Sequence, residues 1–149
     1  MTRTGEEAVY SSDAATLREK KVSDLKNRVA MVNEQEHAIL LSIHQNSLPS
    51  HPRVHGAQVF YNTVEPGQAM AESVQQALNQ MINGGNEKTI KPIDSSVYLM
   101  KNSRAPSLLV ECGFLSNADE AKLLQEQDYQ LRLTVCIVAG FRQYYINEG

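Results

Sequence analysis

The chain has 149 residues, enough for one domain around one hydrophobic core. Its 42% hydrophobic content excludes a disordered polymer, and 14 basic against 17 acidic side chains, a formal net charge of −3, argue against a dominant nucleic-acid footprint. Two cysteines, Cys112 and Cys136, are too few for a disulfide framework and lack metal-ligand spacing. No apolar run approaches the length of a membrane span, and the first residues show no signal-peptide pattern.

Met1 to Gly5 reads as the tail of a strand running into a loop, and Thr2 to Thr16 is polar and irregular. A helical pattern occupies Leu17 to Asn33, with Leu25, Val29 and Val32 at i, i+4 and i+7 and Ser23 or Asp24 as candidate caps. The run Arg18-Glu19-Lys20-Lys21 reads as a solvated face or loop, with contact to an anionic polymer as the alternative. Ala38 to Ile43 is an apolar run of strand length that ends Ser42-Ile43-His44-Gln45-Asn46, and a Ser/Pro loop follows from Ser47 to Pro52. Alternation puts Ser42 and His44 on one side of that strand and Ile43 on the other.

Gly56 to Tyr61 is a second strand, and Asn62 to Gly67 a turn with Pro66 near a helix start. Gln68 to Ile82 forms an amphipathic helix whose stripe of Met70, Val74, Ala77, Leu78 and Met81 is ordinary core. Asn83-Gly84-Gly85-Asn86 follows a helix and lacks a Lys-Ser/Thr ending, so it is a turn and not a phosphate loop. Val97 to Met100 is expected to be a short strand. Leu108 to Val110 reads as a strand buried on both faces, ending in the carboxylate Glu111. Gly113 breaks the pattern. Asn117 then opens a short helix over Ala118 to Gln125, with Glu120 as the second half of a capping box. Asp128 is expected to cap a last helix that packs one side through Leu131, Val135, Val138 and Phe141 or Arg142, with Gly140 allowing close approach. The order predicts an α/β fold, a mixed and mostly parallel sheet flanked by helices on both faces, without internal repeat or second domain.

Two polar groups therefore stand at the ends of apolar strands, His44 and Glu111. Strand ends of this kind border the ligand crevice of open α/β sheets. Imidazole is the commonest zinc ligand, and a free carboxylate can take a proton from water bound to a metal. A catalytic zinc normally has three protein ligands, and here one good candidate is found. His37, His51 and His55 read as surface histidines, and no His-Glu-x-x-His pair exists. Cys112 should point away from Glu111 by period-2 geometry, which makes it core filler at a strand end rather than a nucleophile. No Gly-x-Ser-x-Gly elbow supports a serine triad.

Ser42-Ile43-His44-Gln45-Asn46 and Val110-Glu111-Cys112-Gly113-Phe114-Leu115-Ser116-Asn117 resemble two motifs of the zinc-dependent N-acetylmuramoyl-L-alanine amidases. Asp24-Leu-Lys-Asn-Arg-Val, Gly56-Ala-Gln-Val-Phe-Tyr, Tyr98-Leu-Met-Lys-Asn and Asn117-Ala-Asp-Glu-Ala-Lys-Leu-Leu extend the likeness, which is nearest to the germination-specific spore-cortex branch. The resemblance implies hydrolysis of the amide between N-acetylmuramic acid and the first alanine of the stem peptide, in the cell wall outside the cytoplasm. It implies His44 as a zinc ligand and Glu111 as the catalytic carboxylate, first base and then proton donor to the leaving amine. It implies zinc as cofactor, polarising the carbonyl and bringing bound water to a pKa of about 7. Peptidoglycan is the implied partner, with no nucleic acid and no membrane segment; Gln45 and Cys112 carry no chemical role.

The family's Asp-Pro-Gly-His-Gly-Gly strand end and its zinc glutamate have no counterpart in this sequence. Residues 1–149 are thus expected to be an incomplete catalytic domain, its C-terminal portion, with two of three metal ligands absent. One imidazole holds zinc poorly, so weak or no activity is expected unless His37, His51, His55, Glu6 or Glu7 is recruited. An unpaired strand edge also invites aggregation or pairing with another chain. The alternative readings are a non-catalytic remnant that binds peptidoglycan or a partner protein, and an unrelated α/β domain that matches by chance.

Overall fold

The computed structural model describes residues 1–2, 5 and 7–148, so the expected N-terminal strand tail lies partly outside the described residues. Helix α1 spans Leu17–Asn33. Its cap is Thr16, not Ser23 or Asp24: the Thr16 hydroxyl accepts from the Glu19 amide, and the Glu19 carboxylate accepts from the Thr16 amide. Ser23 and Asp24 lie one to two turns inside the helix and do a different job. Ser23 Oγ accepts from the Ser11 amide and Asp24 from the Val9 amide, fastening the irregular leading segment along α1. Asp24 also holds Arg28 at 2.7 Å, a partly exposed i,i+4 pair worth about 0.3–0.5 kcal/mol.

Strands β1 (Leu40–Asn46), β2 (Gln58–Tyr61), β3 (Lys91–Pro92) and β4 (Ser107–Phe114) form one sheet in the order β1-β4-β2-β3. β1 runs parallel to β4, β2 parallel to β3, and β2 antiparallel to β4. The sheet is therefore mixed. β4 is central, which explains its continuous apolar run: both of its faces are covered. Leu108, Val110 and Cys112 enter a core with α2 (Gly67–Met81) and α5 (Gln127–Glu148), while Leu109 joins Val32, Leu40 and Met100 on the face covered by α1 and α3 (Tyr98–Asn102). Helix α4 (Ala118–Leu123) follows β4 directly.

Four further expectations are corrected. Residues 97–100, expected as a strand, run into α3 instead: Asp94 Oδ1 accepts from the Ser96 amide, and the Val97 amide bonds the Asp94 carbonyl, so a turn winds the chain into a helix. A four-residue apolar run has no periodicity of its own to distinguish the two states. Asp128 sits within the first turn of α5 rather than before it. The expected packing side of α5 is the exposed one. Leu131 and Val138 are about 60% exposed, and the buried stripe is Tyr129, Leu133, Cys136, Ile137 and Gly140. Met81, at the end of the otherwise buried α2 stripe, is also exposed.

Strand β1 lies at the sheet edge, and among the described residues its second edge pairs with no strand. Leu41 and Ile43 are 39% and 51% exposed there, beside an open groove of about 1410 Å³ lined by Val9, Arg28, Met31 and β1 itself. A seven-residue edge without proline or charge is a pairing template. Concentration-dependent self-association is expected in sedimentation. Ile43→Lys should weaken it about tenfold, or about 1.4 kcal/mol, with little change in melting temperature. A wild-type chain that stays monomeric at high concentration would contradict this.

Candidate active site

Parallel pairing of β1 with β4 sets Leu40 opposite Ser107, Ser42 opposite Leu109 and His44 opposite Glu111. Neighbouring strands lie about 4.8 Å apart, and the side-chain period of two keeps registered partners on one face. Leu40 and Leu109 share the core under α1 and α3, so His44 and Glu111 extend that same face to the tips of their strands. The register therefore sets the imidazole and the carboxyl at paired positions on one face of neighbouring strands. Just past the pair the register shifts between His44 and Asn46. Two hydrogen bonds tie the tips there: the Leu115 amide donates to the Asn46 carbonyl at 2.7 Å, and the Leu48 amide to Ser116 Oγ at 2.8 Å.

The two side chains differ in environment. His44 is exposed, whereas Glu111 is half-buried. Burial pushes the Glu111 carboxyl above its ordinary value, and His44 opposes this by a smaller amount. Glu111 Oε2 is fully shielded and has no hydrogen-bond partner among the described residues. A buried carboxylate oxygen without a partner is costly, and such an atom in a folded protein calls for an explanation by water, ion or catalysis.

Cys112 points into the opposite core, as the alternation requires. Burial, helped by the Glu111 charge, raises its thiol to about 11, so it stays protonated and unreactive at neutral pH. The other histidines are exposed surface groups. His37 occupies a turn with φ of 57°, His51 Nδ1 pairs with Ser50 Oγ, and His55 Nδ1 with the Arg53 carbonyl. Among the described residues no group of three or more His, Cys, Asp or Glu side chains is arranged to hold a metal ion. Glu7 is exposed and belongs to no such group, and Glu6 lies outside the described residues. Gln45 is exposed on the edge strand with no partner that bears on chemistry.

Sequence reasoning missed the fastenings around the pair. Asn46 and Ser116 are polar loop letters with no periodic signal. Glu120 was legible as a cap, yet its carboxylate is used elsewhere: Asn117 Oδ1 caps α4 alone, accepting from the Asp119 and Glu120 amides. Among the described residues no helix is long and apolar enough to cross a membrane.

Comparison with known proteins places this geometry in context. A family profile described as N-acetylmuramoyl-L-alanine amidase matches residues 1–143. The germination-specific N-acetylmuramoyl-L-alanine amidase of Bacillus subtilis is 33% identical over 150 aligned positions, covering all of this chain and 62% of the relative. The chain thus spans about three fifths of that relative's length. Among solved structures, the CwlD amidase of Clostridioides difficile, in complex with the GerS lipoprotein, superposes with a TM-score of 0.88 at 32% identity, covering 97% of this chain and 73% of that one. An N-acetylmuramoyl-L-alanine amidase of Clostridium difficile gives a TM-score of 0.74 at 25% identity, over 84% of this chain and 67% of that chain.

Proposed function

The chain belongs to the N-acetylmuramoyl-L-alanine amidase family, and from that premise we propose that it acts on peptidoglycan, hydrolysing the amide between N-acetylmuramic acid and L-alanine of the stem peptide. The observation that carries this reading is the registered His44–Glu111 pair with the unpartnered Glu111 Oε2. The setting we propose is the cell wall, and by likeness to the germination-specific relative, the spore cortex.

In this reading the Glu111 carboxylate accepts a proton from the water whose oxygen attacks the amide carbonyl. The carbon–nitrogen bond then breaks, and Glu111 delivers the proton to the leaving alanine nitrogen. The muramoyl side keeps a carboxylate, and the peptide leaves with a free amine. A carboxyl raised by burial is a stronger base than an exposed one, so it takes the proton from water more readily. We assign His44 as one zinc ligand. The described residues do not make a zinc centre by themselves, since a catalytic site needs about three protein donors.

Two measurements follow. Titration of the chain with zinc in a calorimeter should show no stoichiometric binding tighter than about 1 μM. Submicromolar binding would mean that His37, His51, His55 or Glu7 has been recruited. Prolonged incubation with purified muropeptides should release stem peptide bearing a free N-terminal alanine slowly, but above the buffer rate, by mass spectrometry. Release at the buffer rate would favour the second reading: a chain that binds peptidoglycan without cutting it.

A further inference from the structure

The carboxylate of Glu120 is the best-satisfied buried charge near the site, although it touches neither His44 nor Glu111 in any hydrogen bond. The residue is 6% exposed. Its two oxygens serve two different segments: Oε1 accepts from the Gly56 amide at 2.8 Å, and Oε2 from the Phe114 amide at 2.6 Å. Phe114 closes β4 three residues beyond Glu111. Gly56 leads into β2, whose Gln58 is the registered partner of Glu111 on the other side. The antiparallel ladder of β2 and β4 ends at that pair, and the carboxylate bridges the two strands where the ladder stops.

The surroundings are shaped to admit this side chain. A Cβ at Gly113, where φ is +157°, would lie 2.6 Å from Glu120 Cδ and 2.8 Å from its Cγ. Gly56, with φ of +100°, would bring a Cβ within 2.9 Å of Lys88 Cε and 3.0 Å of Asn86 Nδ2. Both donors are backbone amides, so both positions on the side chain must be acceptors. A carboxylate meets that requirement. A glutamine does not, because its NH2 would confront one of the amides. Bonds from an amide to an ionised acceptor are about twice as strong as neutral ones.

We propose that Glu120 is a positioning residue for the site: its carboxylate clamps the tips of β4 and β2 and so fixes Glu111 against His44. On the other flank the Asn46 and Ser116 fastenings tie β4 to β1, so the strand that carries Glu111 is held on both sides. This inference rests on the amidase reading only for what the held pair does. The geometry stands without it.

The test is nuclear magnetic resonance on the intact chain, comparing wild type, Glu120→Gln and Asn62→Ala. Asn62 is a buried clamp of similar kind at the opposite end of β4, where its Oδ1 accepts from the Ser107 amide at 2.9 Å and its Nδ2 donates to the Ala105 carbonyl at 3.0 Å. In Glu120→Gln, exchange of the Phe114 amide should accelerate about tenfold or more, and the cross-relaxation signal between the His44 ring and the Glu111 side chain should fall by more than half. Asn62→Ala should lower the melting temperature and leave that signal intact. Should Glu120→Gln fail to fold, Glu120→Asp reads the same signal, because its charge is kept while the shorter side chain cannot reach both amides. A His44–Glu111 signal that survives loss of the clamp, or that falls equally in Asn62→Ala, overturns the proposal. If the wild-type chain releases no stem peptide while Glu120→Gln still loses the signal, the amidase reading falls and the clamp stands.

Discussion

Replacing Glu111 with Gln should raise the melting temperature at pH 7, leave it unchanged at pH 4, and bring the slow stem-peptide release down to the buffer rate. The first two parts follow from the environment of the carboxyl group. Burial places its folded-state value above the ordinary 4.5, with His44 offsetting part of the shift. Between those two values the folded chain binds more protons than the unfolded one, so stability falls as pH rises through the window. Above the folded value the whole penalty is present, and below about 4.5 it is absent. Glutamine keeps the shape and removes the charge, so the difference between the two proteins should open as pH climbs from 4 and then level off. Calorimetric melts at pH 4 and pH 7 read this directly. A melting temperature that falls at pH 7 would mean that the carboxylate is a paired structural group, contrary to its unpartnered oxygen. Gain in stability with loss of turnover is the expected signature of a group held in an unfavourable state for chemistry.

Gly140→Ala should destabilise the fold by about 2–3 kcal/mol, which for a chain of this size is a drop of roughly 5–10 °C. Gly140 lies on α5 where it crosses α2. A methyl group there would fall against the backbone of Val74, in contact with its Cα and 2.9 Å from its nitrogen. The obstruction is main chain, which cannot rotate away. Ala exceeds Gly in helix propensity by about 1 kcal/mol, but the gain is outweighed because the two helices must separate. Separation also stretches the bond from Ser73 Oγ to the Gly140 carbonyl, now 2.8 Å. Trimming the neighbour, as Val74→Ala, should not rescue the variant, since the closest atoms belong to the backbone. Rescue by that second substitution, seen in thermal melts of the double variant, would show a side-chain collision instead.

The strongest elements were those with a period and an end signal. Helix α1 runs from Leu17 to Asn33 as its apolar spacing implies, and Asn117 caps α4 as its position before an apolar run implies. The two polar groups stood out in the sequence because a histidine and a glutamate are uncommon endings for apolar runs. Alternation placed His44 with Ser42 and set Cys112 opposite Glu111, but it could not say that the two groups share a face. What local pattern could not rank was competition between equals. Helix α5 carries two apolar stripes, and Gly140 against α2 selects the one that is buried. Residues 97–100 had no length in which a period could show. Glu120 satisfied the cap rule in letters, but two unpaired amides from distant segments claimed its carboxylate.

Periodicity and end chemistry, written in neighbouring residues, were thus enough to give the class of fold, a strand buried on both faces and two polar groups at strand ends. Strand order, the register that sets His44 beside Glu111, the exposed face of α5 and the clamp by Glu120 depend on residues tens of positions apart. Such choices are decided by which amides remain unpaired and which surfaces fit once the sheet has assembled, and no local window contains that information.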